Sequence, residues 1–234
     1  MDNVVVRRIP RVPALVVRQL ALGGCATVHE AMARSGLMKP YLRPIYEGAQ
    51  AAGTAVTVLA QPGDNWMLHV AVEMCQPGDV MVVGCTADST DGMFGELLAT
   101  SMKARGVVGL VIDAGCRDVA ALRAMRFPVW ARAISARGTV KATLGAVNVP
   151  IVCAGAWVNP GDAIVADDDG VVIVPLAEAE RAAAATAARM AREEQTRQRL
   201  AAGELGLDVY GMRPKLAQAG LRYVDSAADL GGST

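Results

Sequence analysis

Residues 95–118 read GELLATSMKARGVVGLVIDAGCRD, and the fold class follows from how this stretch divides. Gly106 cuts it into a helix from Gly95 to Arg105 and a nearly all-apolar run from Val107 to Ile112. Glycine after the last turn accepts the left-handed conformation that closes a helix. An uninterrupted apolar run of strand length is buried on both faces, as in a parallel sheet. Another β-branched run, Val80 to Gly84, precedes the helix, so strand, helix and strand form a βαβ crossover of right-handed sense. The charges at its two ends raise the functional question: Glu96 opens the helix, and Arg117 and Asp118 follow the strand.

Working outward, Asp118 to Met125 starts a further short helix. Upstream, Pro13 to Leu22 reads as a helix, followed by a Gly-Gly break and a short helix from Thr27 to Gly36. GTAVTVLA (53–60) is a strand, and NWMLHVAVEMC (65–75) has a helical period. QPGD at 61–64 and 76–79 and NPGD at 159–162 repeat a Pro-Gly turn. Proline presets one turn dihedral and glycine takes the positive φ that follows. From Pro128 to Val174 short apolar runs alternate with turns, giving a largely β half. Beyond Pro175 an alanine- and charge-rich segment without glycine or proline predicts one helix of about 25 residues. Its few large apolar residues suit the surface or a contact with another subunit.

Composition narrows the function classes. The 234 residues are 53% hydrophobic, enough for one substantial core. Lys plus Arg equals Asp plus Glu at 23 each, so no global field draws the chain to nucleic acid or an anionic membrane. No run reaches the roughly 18 apolar residues of a membrane span. Cys25, Cys75, Cys85, Cys116 and Cys153 stand singly, with no metal or disulfide spacing, which predicts reduced thiols and a cytoplasmic location.

Parallel α/β sheets bind ligands where strand C-terminal ends run into helix N-termini. The loop CTADSTDGMF (85–94) leads to the first-turn N–H groups of Gly95, Glu96, Leu97 and Leu98, a seat for a carboxylate or phosphate. The loop DAGCRD (113–118) leaves the neighbouring strand, so Arg117 reaches the same anion. Two carboxylates and one arginine at one mouth suggest Mg²⁺, a hard cation that keeps several waters. The structural alternatives are a helix N-cap for Asp118 and dipole complementation for Glu96. His29 and His69 read as satisfied or surface histidines, and ADDDG (166–170) as an acidic turn between strands. Glu193 and Glu194 form a solvated helix face unless a neighbouring subunit brings them to a site.

Glu96, twenty intervening residues and Arg117-Asp118 resemble the D/E-x20-R-D signature of class II pyruvate aldolases in the RraA-like superfamily. The resemblance covers most of the chain: PGDVMVVG (77–84), NPGDAIVADDDGVVIVP (159–175) and the tail LGLDVYGMRPKLAQAGLRYVD (205–225) match in order. It implies an α/β fold, a swivelling β/β/α sandwich with N-terminal helices and a long C-terminal helical extension. Residues 1–175 would be the catalytic domain, and 176–234 an extension packing on a neighbouring subunit of a trimer or hexamer. By the same resemblance Asp118 is the direct ligand of Mg²⁺, for which Mn²⁺ or another divalent cation substitutes. Glu96 acts through water, as does Glu193 from the neighbouring subunit, with Glu194 as its rival. Arg117 binds the pyruvyl part of the substrate, and Gly95, Leu97 and Leu98 surround its carboxylate. The first signature position is Glu where many relatives carry Asp, one methylene shorter.

The implied activity is retro-aldol cleavage of 4-carboxy-4-hydroxy-2-oxoadipate to pyruvate and oxaloacetate, and of 4-hydroxy-4-methyl-2-oxoglutarate to pyruvate, in bacterial degradation of aromatic acids. Oxaloacetate decarboxylation is expected as a side activity. Two rivals share the resemblance. RraA regulators inhibit ribonuclease E, but are shorter and typically lack the acidic first residue. A dedicated oxaloacetate decarboxylase has the same catalytic residues.

Overall fold

The computed structural model describes residues 3–228. In chain order the elements are α1 (Ala14–Ala31), β1 (Arg43–Pro44), β2 (Ala51–Ala60), α2 (Trp66–Met74), β3 (Asp79–Cys85), β4 (Gly92–Phe94), α3 (Glu96–Ala104), β5 (Gly109–Cys116) and α4 (Val119–Ala124). They continue with β6 (Val129–Ile134), β7 (Ala146–Val147), β8 (Ile151–Cys153), β9 (Ala156–Val158), β10 (Ala163–Asp167), β11 (Gly170–Val174), α5 (Ala179–Ala201), α6 (Gly206–Val209) and α7 (Arg213–Gln218).

One sheet runs in the order β1-β6-β5-β3-β2-β10-β11, with β4 also on β5 and β7 on β2. Its centre, β2, β3, β5 and β6, is parallel, and β3, α3 and β5 form the crossover read from residues 80–112. β8 and β9 make a separate antiparallel pair. Side chains alternate across the sheet, so its two faces feed different cores. Met81, Val83, Leu110 and Ile112 pack with Leu68, Leu98, Met102 and Leu122 of α2, α3 and α4. Val80, Val82, Val111 and Trp130 pack with Ile151, Cys153 and Val158 of the small pair. The result is the β/β/α layering. A third cluster packs α1 and the start of α5 on β10 and β11.

The three Pro-Gly turns form as read: Gly63, Gly78 and Gly161 have φ of 71°, 89° and 98°. The aspartate after each glycine is buried and serves the backbone. Asp64 accepts from Trp66, Ala142 and Thr143 N–H at 2.9, 2.8 and 2.6 Å. Asp79 accepts from Gln76 N–H and pairs with Arg11, and Asp162 accepts from Asn159 and Leu176 N–H. Each carboxylate thus supplies acceptors for N–H groups that would otherwise be buried alone.

Several boundaries depart from the sequence reading. The Gly-Gly break is a kink inside α1, at Gly24 with φ 68° and ψ 174°, and the second half stops at Ala31, short of Gly36. β5 extends four residues past Ile112, because Gly115 pairs with Gly92 and Ala133, and Cys116 with Phe94 and Ile134. The loop before α3 contains the short strand β4. α5 spans 23 residues, and its first two turns bury Ala179, Ala182, Ala183 and Thr186, small residues that allow close packing without large apolar side chains. ADDDG is the turn between β10 and β11, where Asp168 accepts from Gly48 N–H and Asp167 from Cys25 N–H. The chain divides into two compact units, Met1–Arg189 and Met190–Thr234.

Candidate active site

The C-terminal ends of β3, β5 and β6 carry loops that meet around two glycines. A Cβ on Gly115 would overlap the carbonyl of Thr90, and one on Gly92 the carbonyl of Ser135 while lying 3.3 Å from Arg117 Cβ. Only glycine lets these three loops approach so closely. The Arg117 N–H donates to Phe94 O at 2.9 Å, Ser135 N–H to Cys116 O at 2.9 Å and Gly92 N–H to Arg137 O at 2.9 Å. The chain after each strand is therefore fixed by its neighbour.

Gly95, in extended conformation, is the N-cap of α3. A side chain there would overlap Asp118 Oδ2 and come within 3.0 Å of Arg117 Cγ and 3.2 Å of Arg117 Nε. The arginine stem consequently lies across Gly92 and Gly95, and its Nη1 is 3.8 Å from where a Cβ on Gly138 would be. Asp118 stands at the head of α4, but its side chain makes no cap there. Instead Oδ2 accepts from Glu96 N–H at 3.0 Å, capping α3 across the mouth. The N-cap reading of Asp118 therefore holds for position and fails for the helix served. The reason is the backbone: φ 58° and ψ 34° place Asp118 in the left-handed region and turn its carboxylate away from α4. A non-glycine residue held there is an uncommon, strained conformation typical of functional sites.

Glu96, Arg117 and Asp118 are thus brought to one mouth, with Arg117 Nε 3.7 Å from Asp118 Oδ2 and both side chains about half exposed. Glu96 turns back along its helix to accept from Thr100 Oγ1 at 3.1 Å. Leu97 and Leu98 follow in the first turn, where N–H groups have no carbonyl four residues back within the helix. Leu98 is buried and Leu97 is 78% exposed, on the wall of an open groove of about 970 Å³ shared with Asp118, Val119 and Met125. Cys116, next to Arg117, has its thiol pKa pushed up to about 12, first by burial and then by the Asp118 charge, so it stays a thiol near neutral pH.

Glu193 and Glu194 belong to the second unit. Glu194 accepts from Gln198 at 3.1 Å and pairs with Arg197 on the same helix. His29 Nδ1 is 2.9 Å from Ser35 O, and His69 is exposed. Among the described residues no group of three or more His, Cys, Asp or Glu is placed to hold a metal. A second pocket, about 670 Å³, lies at the opposite ends of β5 and β6 and includes Lys103 and Arg123. There Lys103 Nζ donates to Met125 O at 2.7 Å, as a cation at a helix C-terminus does.

The sequence reading missed the polar network behind the mouth. Asp113, taken as a loop residue, is inside β5 and accepts from Arg132 Nε at 2.8 Å, Ala154 N–H at 2.9 Å and Tyr41 OH at 3.1 Å. Arg132 also pairs with Asp88 at 2.9 Å and lies 4.6 Å over the Tyr41 ring. Burial, followed by the Asp113 charge, pushes Tyr41 up to about 12. Arg137 pairs with Asp91 at 3.3 Å. The residues preceding β4 are therefore tied to β6 and its following loop by two ion pairs. One signal was present in the sequence: a carboxylate inside an apolar strand requires a partner.

Residues 25–173 match the model of the RraA-like family, described as Aldolase/RraA. A relative from Halalkalibacterium halodurans, provisionally named a 4-hydroxy-4-methyl-2-oxoglutarate aldolase, is 36% identical over 59% of this chain and 66% of its own length. One of the same provisional name from Burkholderia multivorans is 34% identical over 58% of this chain and 83% of its own. The match to the first of these relatives thus leaves about a third of that protein's length uncovered. The solved structure of RraAS2 from Streptomyces coelicolor, described as an unusual member of the RNase ES inhibitor RraA family, superimposes with a TM-score of 0.72 at 27% identity, over 81% of this chain and 99% of that one. With the matched region spanning the β/β/α layers and the mouth at Gly95, Arg117 and Asp118, the chain belongs to the RraA-like (Aldolase/RraA) family.

Proposed function

We propose that this chain is a divalent-metal-dependent pyruvate aldolase. It cleaves the C3–C4 bond of 4-carboxy-4-hydroxy-2-oxoadipate to give pyruvate and oxaloacetate, and of 4-hydroxy-4-methyl-2-oxoglutarate to give pyruvate, within bacterial protocatechuate 4,5-cleavage or gallate breakdown. Oxaloacetate decarboxylation passes through the same enolate and accompanies it. The observation that carries the reading is Asp118: held left-handed, capping α3 across the mouth and placed beside Arg117.

The residues fit a hard cation. Glu96 N–H and Arg117 Nε both meet the Asp118 carboxylate at Oδ2, and Oδ1 would take the ligand. Two carboxylates with the remaining positions left to water is a Mg²⁺ or Mn²⁺ donor set. When bound, such an ion supplies Lewis-acid polarisation of the 2-oxo group. Asp118 would hold it directly and Glu96 through water, after releasing Thr100. Arg117, its stem fixed over Gly92 and Gly95, binds the pyruvyl oxygens and balances the charge that develops as a base takes the 4-hydroxyl proton and the C3–C4 electrons enter the enolate, whose C3 then takes up a proton to give pyruvate. Removing one such donor commonly costs about 3–4 kcal/mol in the transition state. The Leu97 and Leu98 N–H groups seat the substrate carboxylate at the positive end of α3. Lys103 is engaged at the far end of α3, away from the mouth, and the metal reading requires no Schiff base. In a homo-oligomer, trimer or hexamer, Glu193 of a neighbouring subunit would complete the water shell.

The likeness to RraAS2 supports a second reading, a protein inhibitor of a ribonuclease. Pyruvate release from 4-carboxy-4-hydroxy-2-oxoadipate separates the two. Turnover should stop in chelator, return with Mg²⁺ or Mn²⁺, and fall at least about a hundredfold in Arg117→Ala. Undiminished turnover in chelator would sink the metal mechanism. No turnover of any 4-hydroxy-2-oxo acid would favour the inhibitor.

A further inference from the structure

The two proposed substrates differ at C4, where one carries a methyl and the other a carboxymethyl group with an additional negative charge. Arg117 and the α3 N-terminus are occupied by the pyruvyl half common to both. A second cation is needed at the mouth to distinguish them, and one is present. Arg137 lies in the loop after β6, and its carbonyl accepts from Gly92 N–H at 2.9 Å. A Cβ on Gly92 would lie 3.0 Å from that carbonyl and 3.3 Å from Arg117 Cβ, so the Arg137 backbone and the Arg117 side chain flank the same glycine. The next residue, Gly138, faces Arg117 Nη1. The Arg137 side chain is 77% exposed and, among the described residues, pairs with Asp91 through Nε at 3.3 Å. Asp91 is itself 18% exposed and packs beside Gly63 in the first Pro-Gly turn. Its carboxylate steadies the guanidinium while leaving the terminal nitrogens to a substrate.

We infer that Arg137 is a specificity-determining residue that binds the distal carboxylate of the carboxymethyl substrate; this rests on the aldolase reading above. A guanidinium fork recognises a carboxylate through two parallel hydrogen bonds. Arg137 makes no contact with the groups shared by the two substrates, so its loss should alter the preference between them and leave the chemical step intact. An exposed ion pair that only steadied the loop would affect both substrates alike.

The test compares kcat/KM for 4-carboxy-4-hydroxy-2-oxoadipate and 4-hydroxy-4-methyl-2-oxoglutarate in wild type, Arg137→Ala and Arg137→Lys, with Mg²⁺ present. Arg137→Ala should lower kcat/KM for the carboxymethyl substrate about tenfold or more, mainly through KM, and change the methyl substrate less than about twofold. Arg137→Lys should recover part of the loss. Equal losses on both substrates would make Arg137 a loop-positioning residue, and no change on either would remove it from the site; each result overturns the inference. Failure of the wild type on both substrates would refute the aldolase reading itself and this inference with it.

Discussion

Asp118 caps α3 and, on the reading proposed above, would also hold the cation; substitution can separate the two. Its Oδ2 caps α3 through Glu96 N–H at 3.0 Å, and its backbone is left-handed at φ 58°. Asp118→Ala removes the cap, worth about 1 kcal/mol for a half-exposed side chain. It also places alanine in a conformation that costs about 1 kcal/mol more than for Asp or Asn. The sum, about 2 kcal/mol, corresponds to a fall in Tm of roughly 4–8 °C for a chain of this size. Asp118→Asn keeps an oxygen acceptor and tolerates the left-handed backbone. It loses only an exposed ion pair with Arg117, so its stability should stay within about 0.5 kcal/mol of wild type. Both variants should lose Mg²⁺-stimulated pyruvate release, because the anionic ligand is gone. Urea unfolding gives the stabilities and a pyruvate assay gives the activity. Equal destabilisation of the two variants would refute the capping argument, and Mg²⁺-stimulated turnover by Asp118→Asn would refute the ligand assignment.

Gly95→Ala should lower both stability and activity, since its Cβ meets Asp118 and Arg117 rather than a strained backbone; overpacking of this kind costs about 1–3 kcal/mol, and a variant with wild-type unfolding and turnover would contradict the geometry. Acid should act through Asp64. Burial raises its pKa, but the Trp66, Ala142 and Thr143 N–H bonds outweigh this and hold it below 3.8, so its contribution is complete above pH 3.8 and disappears as pH falls through the lower folded value. Urea midpoints below pH 4 should therefore fall more steeply for wild type than for Asp64→Asn; parallel slopes would remove Asp64 as a source of the acid sensitivity.

Much of the scaffold was legible because local rules and tertiary packing agree. The apolar run after Gly106 had to contain a buried strand, and β5 takes it up from Gly109, leaving Val107 and the exposed Val108 ahead of it. The Pro-Gly turns needed positive φ at Gly63, Gly78 and Gly161, and have it. The strand ends were less legible, since Asp113, Gly115 and Cys116 look like loop by composition. They remain in β5 because partners distant in sequence absorb their polarity: Arg132, Tyr41 and Ala154 around Asp113, and β4 and β6 along Gly115 and Cys116.

The same division runs through the candidate site. The sequence by itself determined that Glu96 begins a helix and that Arg117-Asp118 follows the adjacent parallel strand, because hydrophobic period and glycine placement specify a βαβ unit. Its closing pair also made the family legible. Only the tertiary structure decided that Asp118 caps α3 instead of α4, that Gly92 and Gly95 form the bed of Arg117, and that Arg137 flanks the same mouth. These depend on a left-handed backbone at Asp118 and on contacts across three loops. Such arrangements follow from the packing of the assembled sheet, and no local pattern of residue types encodes them.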